Sequence, residues 1–401
     1  MTARFSRRTA VTAAAASLVA GPATAAVAAP ARGGDRSGTV RRGSLQRDTD
    51  AVRAAGATGV LAALRTGGGR VVEARAGRAD VHRPDPVPWN AYYRIGSDTK
   101  TFTAALALQL VGEKRLALTD TVERWLPGLV QGHGNDGRRV TVVNLLRQTS
   151  GLADYVAVPD LTPDGYRAGR FRPPSSPEEQ VRDAVRKEPD WLPDRDHPED
   201  ERRWGYRNTN YVVLGLILEK ATGHPWAQLL HDRIIEPLGL RHTFTPGTSV
   251  YVPQPTATAY TEFPGGTGLT DTSLAAGGGA DGGIVSTPRD LTAFLTALMR
   301  GRLLAPAQLA AMKRTVPADD FIPVRGVRYG LGLAWRPTAA GRDGIWFHGG
   351  THLGIVSESG VTPDGSRAVA SATYTLRLEG DSGDAQTRAT LRLVDNALTG
   401  G

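Results

Sequence analysis

Two residues three apart, Ser97 and Lys100, open an apolar stretch and pose the first chemical question of this chain. Only five of its 48 basic residues are lysines; the rest are arginines, which do not yield a proton in a protein. A desolvated lysine does, and a neutral amine one helical turn from a hydroxyl can make that hydroxyl a nucleophile. Gly96 before it and apolar periodicity after it place Ser97 near a helix N-terminus, where backbone N–H groups and the dipole favour a developing anion. The plainer alternative is a helix-capping serine beside a solvated lysine.

Two further places offer polar groups for the same cleft. Tyr206 and Asn208 are two apart in a stretch expected to be extended, so both side chains point one way. A phenol is a weak base alone, but an adjacent ammonium can stabilise its phenolate. The alternative is a half-buried tyrosine beside a turn-forming asparagine. His348 closes an expected strand ahead of Gly349, Gly350 and Thr351. Two glycines let another backbone approach closely, and the Thr351 N–H can then help hold an oxyanion. His348 and His352 lack the helix-borne glutamate of a metal site, so no metal and no cofactor is expected.

These residues need a scaffold. Residues 45–55 have helical spacing, and strands at 59–65 and 70–75 flank the Gly-rich turn 66–69. Three more strands are expected at 344–348, 353–361 and 368–374, then a helix at 386–398. Helical spacing also marks 101–111, 140–146, 211–221, 226–235 and 287–300, joined by long loops at 159–177 and 189–203. The fold class is α/β (α+β): an antiparallel sheet built from both chain ends and flanked by helices, with a mostly helical region inserted. We expect one domain over 45–401, its α/β part at about 45–115 and 285–401 and its helical part at about 116–284.

Residues 1–28 read as a twin-arginine export signal: Arg7 and Arg8 precede an alanine-rich stretch, and Ala26-Val27-Ala28 offers a cleavage site. Residues 29–44 read as a linker. The formal charge of +8 falls to about +5 without the signal and forms no basic stripe, which argues against nucleic-acid binding. It suits weak association with an anionic surface such as a cell wall. The chain contains no cysteine, hence neither disulfide nor thiol nucleophile. A secreted monomer with no membrane span is expected.

Taken together, Ser97-x-x-Lys100, then Tyr206-x-Asn208 about a hundred residues on, then His348-x-Gly350 near the C-terminus resembles the penicillin-recognising serine hydrolases. That superfamily includes class C β-lactamases, secreted D-alanyl-D-alanine carboxypeptidases and related esterases. The likeness runs from about Ala51 to Tyr374 and includes stretches 102–118, 145–152, 206–211, 282–287 and 329–333. The chain looks most like the secreted actinobacterial carboxypeptidases. The resemblance implies that Ser97 attacks a carbonyl, Lys100 activates it and Tyr206 passes the proton to the leaving group. It implies that Asn208 orients the substrate and Lys100, that His348 replaces a lysine, and that the N–H groups of Ser97 and Thr351 form the oxyanion hole.

Some positions depart from that pattern. His348 anchors a carboxylate less firmly than lysine does, which favours carboxypeptidase or esterase chemistry over β-lactamase chemistry. Gly349 removes a hydroxyl, and Ala334 and Trp335 stand where a carboxylate-clamping arginine is expected, with Arg336 just beyond. The leading expectation is a D-alanyl-D-alanine carboxypeptidase working through an acyl-enzyme. Its alternatives are an esterase, β-lactamase or D-amino-acid amidase with the same machinery, and a non-catalytic penicillin- or peptidoglycan-binding module. The acidic loop at 194–201 and the glycine run at 277–283 read as solvated and turn-rich connections.

Overall fold

The computed structural model describes residues 42–156, 161–172, 174–266, 268–338 and 344–400. The export signal and residues 29–41 of the expected linker lie outside the described residues. Helix α1 (Arg42–Ala54) begins inside the stretch expected to be linker.

Strands β1 (Gly59–Arg65) and β2 (Val71–Gly77) form the expected antiparallel hairpin. Six more strands complete one sheet: β3 (Val316–Pro317), β4 (Arg328–Tyr329), β5 (Ala334–Arg336), β6 (Ile345–His352), β7 (Ile355–Val361) and β8 (Ala368–Thr373). Their spatial order is β2-β1-β8-β7-β6-β5-β4-β3, so β1 pairs with β8 and the two chain ends meet inside the sheet, one strand in from its β2 edge. Burial follows position. β1, an interior strand, is buried on both faces, whereas the edge strand β2 alternates.

The alternation of β1 builds two cores. Val60, Ala62 and Leu64 meet Leu45 and Val52 of α1 and Leu393 and Val394 of the C-terminal helix α6 (Asp381–Thr399). Leu61 and the β8 residues Ala370 and Ala372 face the larger core, which holds α2 (Thr99–Gly112) and α5 (Pro288–Met299). α2 is buried on nearly every side, as befits a central helix that is apolar all round. The inserted region packs α3 (Val142–Arg147) and α4 (Thr209–Thr222) against one another, and α4 against α2.

Several local expectations need correction. β6 runs through Gly349 and Gly350 to His352, so His348 sits mid-strand. The 330–333 stretch is a turn between β4 and β5, closed by Gly330 N–H donating to the Leu333 carbonyl at 2.9 Å. Gly332 there has φ +74°, and a Cβ would lie 2.4 Å from Ala104 Cβ on α2. The expected loop at 159–177 contains a helix at Pro163–Gly169, and another follows at Pro177–Val185. The second was legible: Ser176 and Glu179 form a capping box.

Phe102 of α2 and Phe294 of α5 stack with centroids 3.5 Å apart, joining the two helices behind the sheet. Replacing Phe294 with alanine should cost about 3–5 kcal/mol in denaturant unfolding, because both rings are fully enclosed.

Candidate active site

The chain neighbours of Ser97, from Gly96 to Lys100, are buried, and Ser97 itself is only half-buried. The short strand Tyr93–Arg94, paired to Val285–Ser286, delivers the chain to a tight 3₁₀ turn, Gly96–Asp98, that runs directly into α2. Gly96 has φ +53°, and a Cβ there would sit 2.9 Å from the Thr351 nitrogen. A Cβ on Gly350 would lie 1.9 Å from the Ile95 carbonyl and 2.8 Å from the Ser97 nitrogen. Only two glycines allow β6 to lie this close to the nucleophile turn, and that closeness brings the Ser97 and Thr351 N–H groups to one spot.

The Lys100 ammonium is wholly enclosed and spends its three donors on three acceptors. It donates to Ser97 Oγ at 3.0 Å, Asn208 Oδ1 at 2.8 Å and the Asp281 carbonyl at 2.7 Å. Burial lowers its pKa to about 8, against the pull of Asp281 and Asp154. About a tenth of the amine is therefore neutral at pH 7, 3.0 Å from the Ser97 hydroxyl.

Tyr206 lies over the same ammonium, whose nitrogen is 5.0 Å from the ring centroid. Its hydroxyl is sealed from solvent, and burial pushes its pKa well above 10, with Tyr329 adding to the shift. Ser97 is the neighbour that pulls it down, although the two hydroxyls fall outside strict hydrogen-bond geometry. Burial thus favours the protonated phenol over the phenolate that an adjacent ammonium can stabilise. Asn208 begins α4 in helical geometry and not in extended chain. Its Oδ1 accepts from Lys100, and its side-chain amide donates to Asp154 Oδ2 at 3.1 Å.

His348 differs most from expectation. It is fully buried, and desolvation followed by the Lys100 charge lowers its pKa to about 3. Nδ1 lies 2.6 Å from the Gly349 carbonyl, so it carries the proton, and Nε2 accepts from the Tyr329 hydroxyl at 3.0 Å. Both nitrogens are committed. Desolvation thus favours a neutral imidazole here over a cationic carboxylate anchor. Nor is Arg336 a clamp: it is buried against Asp395 of α6 at 2.7 Å, over the Phe347 ring.

Other groups were not singled out beforehand. The glycine run supplies the Asp281 carbonyl to Lys100, and the Asp281 carboxylate accepts from Tyr155 at 2.8 Å. Gln148, in left-handed geometry at the end of α3, accepts from the Arg207 N–H at 3.0 Å and thereby fixes the Tyr206 segment. Trp204, Tyr206, Phe321, Tyr329 and His348 form a continuous aromatic wall, with centroid separations between neighbours of 5.4–6.4 Å. Single aromatics carry no spacing signal that announces such a wall.

Comparison with known proteins decides the family. The β-lactamase family profile matches residues 45–393. The chain belongs to the β-lactamase family. A D-stereospecific amidohydrolase from Streptomyces sp. is 35% identical with a TM-score of 0.78, covering 90% of this chain and 99% of that one. The D-amino acid amidase of Ochrobactrum anthropi SV3, solved with L-phenylalanine amide, is 27% identical with a TM-score of 0.75, covering 89% and 97%. Penicillin-binding protein 4* of Bacillus subtilis is 32% identical over 42% of this chain and 33% of its own length. The chain aligns with only about a third of the curated relatives it matches. The family and the site together make this a serine hydrolase of the β-lactamase and penicillin-binding-protein fold. Among the described residues no helix is long and apolar enough to cross a membrane.

Three outcomes follow from this geometry. Acylation of Ser97 should fall about tenfold per pH unit on the acid side as Lys100 takes up its proton, measured by stopped-flow with an aryl ester. Because His348 is neutral throughout, affinity for an uncharged acyl ester should stay flat between about pH 5 and 8. Gly350→Ala should lower acylation by about a hundredfold or more by forcing β6 off the Ser97 turn.

Proposed function

We propose that this hydrolase acts on amides or esters of D-amino acids that carry no carboxylate next to the scissile bond. The observation carrying this reading is the state of His348. A neutral imidazole with both nitrogens occupied gives a terminal carboxylate no charge to meet, and Arg336 is turned to the other side of the sheet. Asp154 and Asp281 add negative potential beside Lys100, which suits a substrate with a free α-ammonium. The aromatic wall suits an apolar or aromatic side chain. The similarity to the D-stereospecific amidohydrolase and the D-amino acid amidase supports the same reading.

The steps use only groups described above. Neutral Lys100 accepts the Ser97 proton as Oγ bonds to the substrate carbonyl carbon, and the Ser97 and Thr351 N–H groups hold the oxyanion. The tetrahedral centre collapses with loss of the amine or alcohol. Tyr206, kept protonated by burial, hands its proton to that leaving group and is resupplied from Lys100. Water, deprotonated by the same amine, then releases the acid and regenerates Ser97.

The D-alanyl-D-alanine carboxypeptidase reading keeps the support of the penicillin-binding relatives, and the same machinery would serve it. We also propose export, on the strength of the Arg7-Arg8 signal. D-Phenylalanine amide and an acyl-D-Ala-D-Ala peptide, compared by kcat/KM, separate the two substrates. The amide should be preferred by about tenfold or more. Preference for the peptide would replace this reading with the carboxypeptidase one.

A further inference from the structure

Asp98, the residue after Ser97, has no part in those steps, yet its side chain is 1% exposed. It makes no helix cap and runs instead into the sheet. Ser357 Oγ lies 2.6 Å from its Oδ2 and Ser359 Oγ 2.6 Å from its Oδ1. Both serines stand on one face of β7, being two apart. Ser359 Oγ also lies 2.9 Å from the His348 carbonyl on β6, and the Tyr93 hydroxyl lies 3.3 Å from Ser357 Oγ. The result is one buried row of oxygens: Tyr93, Ser357, Asp98, Ser359, His348 carbonyl.

That row contains four oxygen–oxygen contacts, and each requires one proton. The hydroxyls of Tyr93, Ser357 and Ser359 bring three, and the carbonyl brings none. An ionised Asp98 leaves one contact without a proton. A carboxylic acid fills all four: Tyr93 donates to Ser357, Ser357 to Asp98, Asp98 to Ser359, and Ser359 to the His348 carbonyl.

Resting on Ser97 as the nucleophile, we propose that Asp98 is a protonated positioning residue that pins the Ser97 turn to β6 and β7, and that its ionisation weakens acylation. The pin ends two residues before Gly350, where β6 meets the nucleophile turn. Ionisation would also place a negative charge one residue from the hydroxyl that must become an alkoxide. The neighbours agree. Burial raises the Asp98 pKa to about 7 against the pull of both serines, and no cation is among the groups that set it. From β7, Glu358 is itself raised to about 8 by burial and by Asp98, with Arg336 of β5 opposing. From the preceding strand, Tyr93 is raised by burial and by Asp98. His348 on β6 is neutral. Lys100 follows on the same turn, and its ammonium is directed to Ser97, Asn208 and Asp281. The folded pKa of Asp98 lies above its ordinary 3.8, so its contribution to stability is complete below about pH 4 and is lost as pH rises toward 7.

The test uses the full chain, Asp98→Asn and Asp98→Ala, and stopped-flow acylation by p-nitrophenyl acetate. Asparagine imitates the acid, with an N–H for Ser359 and a carbonyl for Ser357. It should keep acylation within about threefold of the parent, while alanine loses about a hundredfold in kcat at unchanged KM. The parent should slow on the alkaline side and Asp98→Asn should not. Asp98→Asn as damaged as Asp98→Ala, or sharing the parent's alkaline slowing, overturns the proposal. Glu358 is also protonated at pH 6, so the readout is the difference spectrum: an infrared carboxylic-acid component of the parent that is lost in Asp98→Asn, kept in Glu358→Gln and kept in Ser97→Ala reads the Asp98 proton without turnover. That readout separates failure of this proposal from failure of Ser97 as nucleophile. Should Asp98→Asn not fold, Ser359→Ala must shift the same band, and an unmoved band rejects the proposed row.

Discussion

The enclosure of one ammonium is the constraint on which the site depends. Lys100 is cut off from water, so it must find acceptors inside the protein, and it finds three, two of them from distant parts of the chain. Ser97 comes from its own turn, Asn208 from the start of α4, and Asp281 from the glycine run before α5. Satisfying the charge therefore assembles the cleft. Desolvation also lowers the cost of losing the proton, so the same burial that organises the site makes the amine a usable base. An arginine here would keep its charge and could never play that second part.

A second constraint is backbone proximity. The proposed oxyanion site takes two N–H groups from chain segments about 250 residues apart, and Gly96 and Gly350 allow those segments to approach so closely. The eight-stranded sheet holds β6 in register through seven residue pairs with β7, and the Asp98 row ties the nucleophile turn to that same pair of strands. Rigidity at this junction is what lets neutral groups, including His348, shape the substrate's surroundings without charge.

Much of this was legible in the sequence because it is local. Ser97 and Lys100 meet across one helical turn, so their spacing alone predicts contact. The long helices and the β1–β2 hairpin also announce themselves by periodicity. β3, β4 and β5 are two or three residues long and carry no period, so they were missed. Gly349 and Gly350 looked like a strand end, because glycine usually weakens a strand; here it serves close approach. The full burial of the His348 ring and of the Tyr206 hydroxyl was not legible for one reason: burial depth is set by the whole fold and not by neighbouring residues. Asp98, Ser357 and Ser359 are common residues whose meeting across about 260 positions leaves no trace in spacing.

The decisive measurement is intact-mass spectrometry with peptide mapping after brief incubation with an acylating ester, on the parent and on Lys100→Arg. One acyl adduct on the peptide containing Ser97, formed by the parent and not by Lys100→Arg, is the predicted result. An adduct on another residue, or equal labelling of the arginine variant, would contradict the account of a buried amine activating this serine.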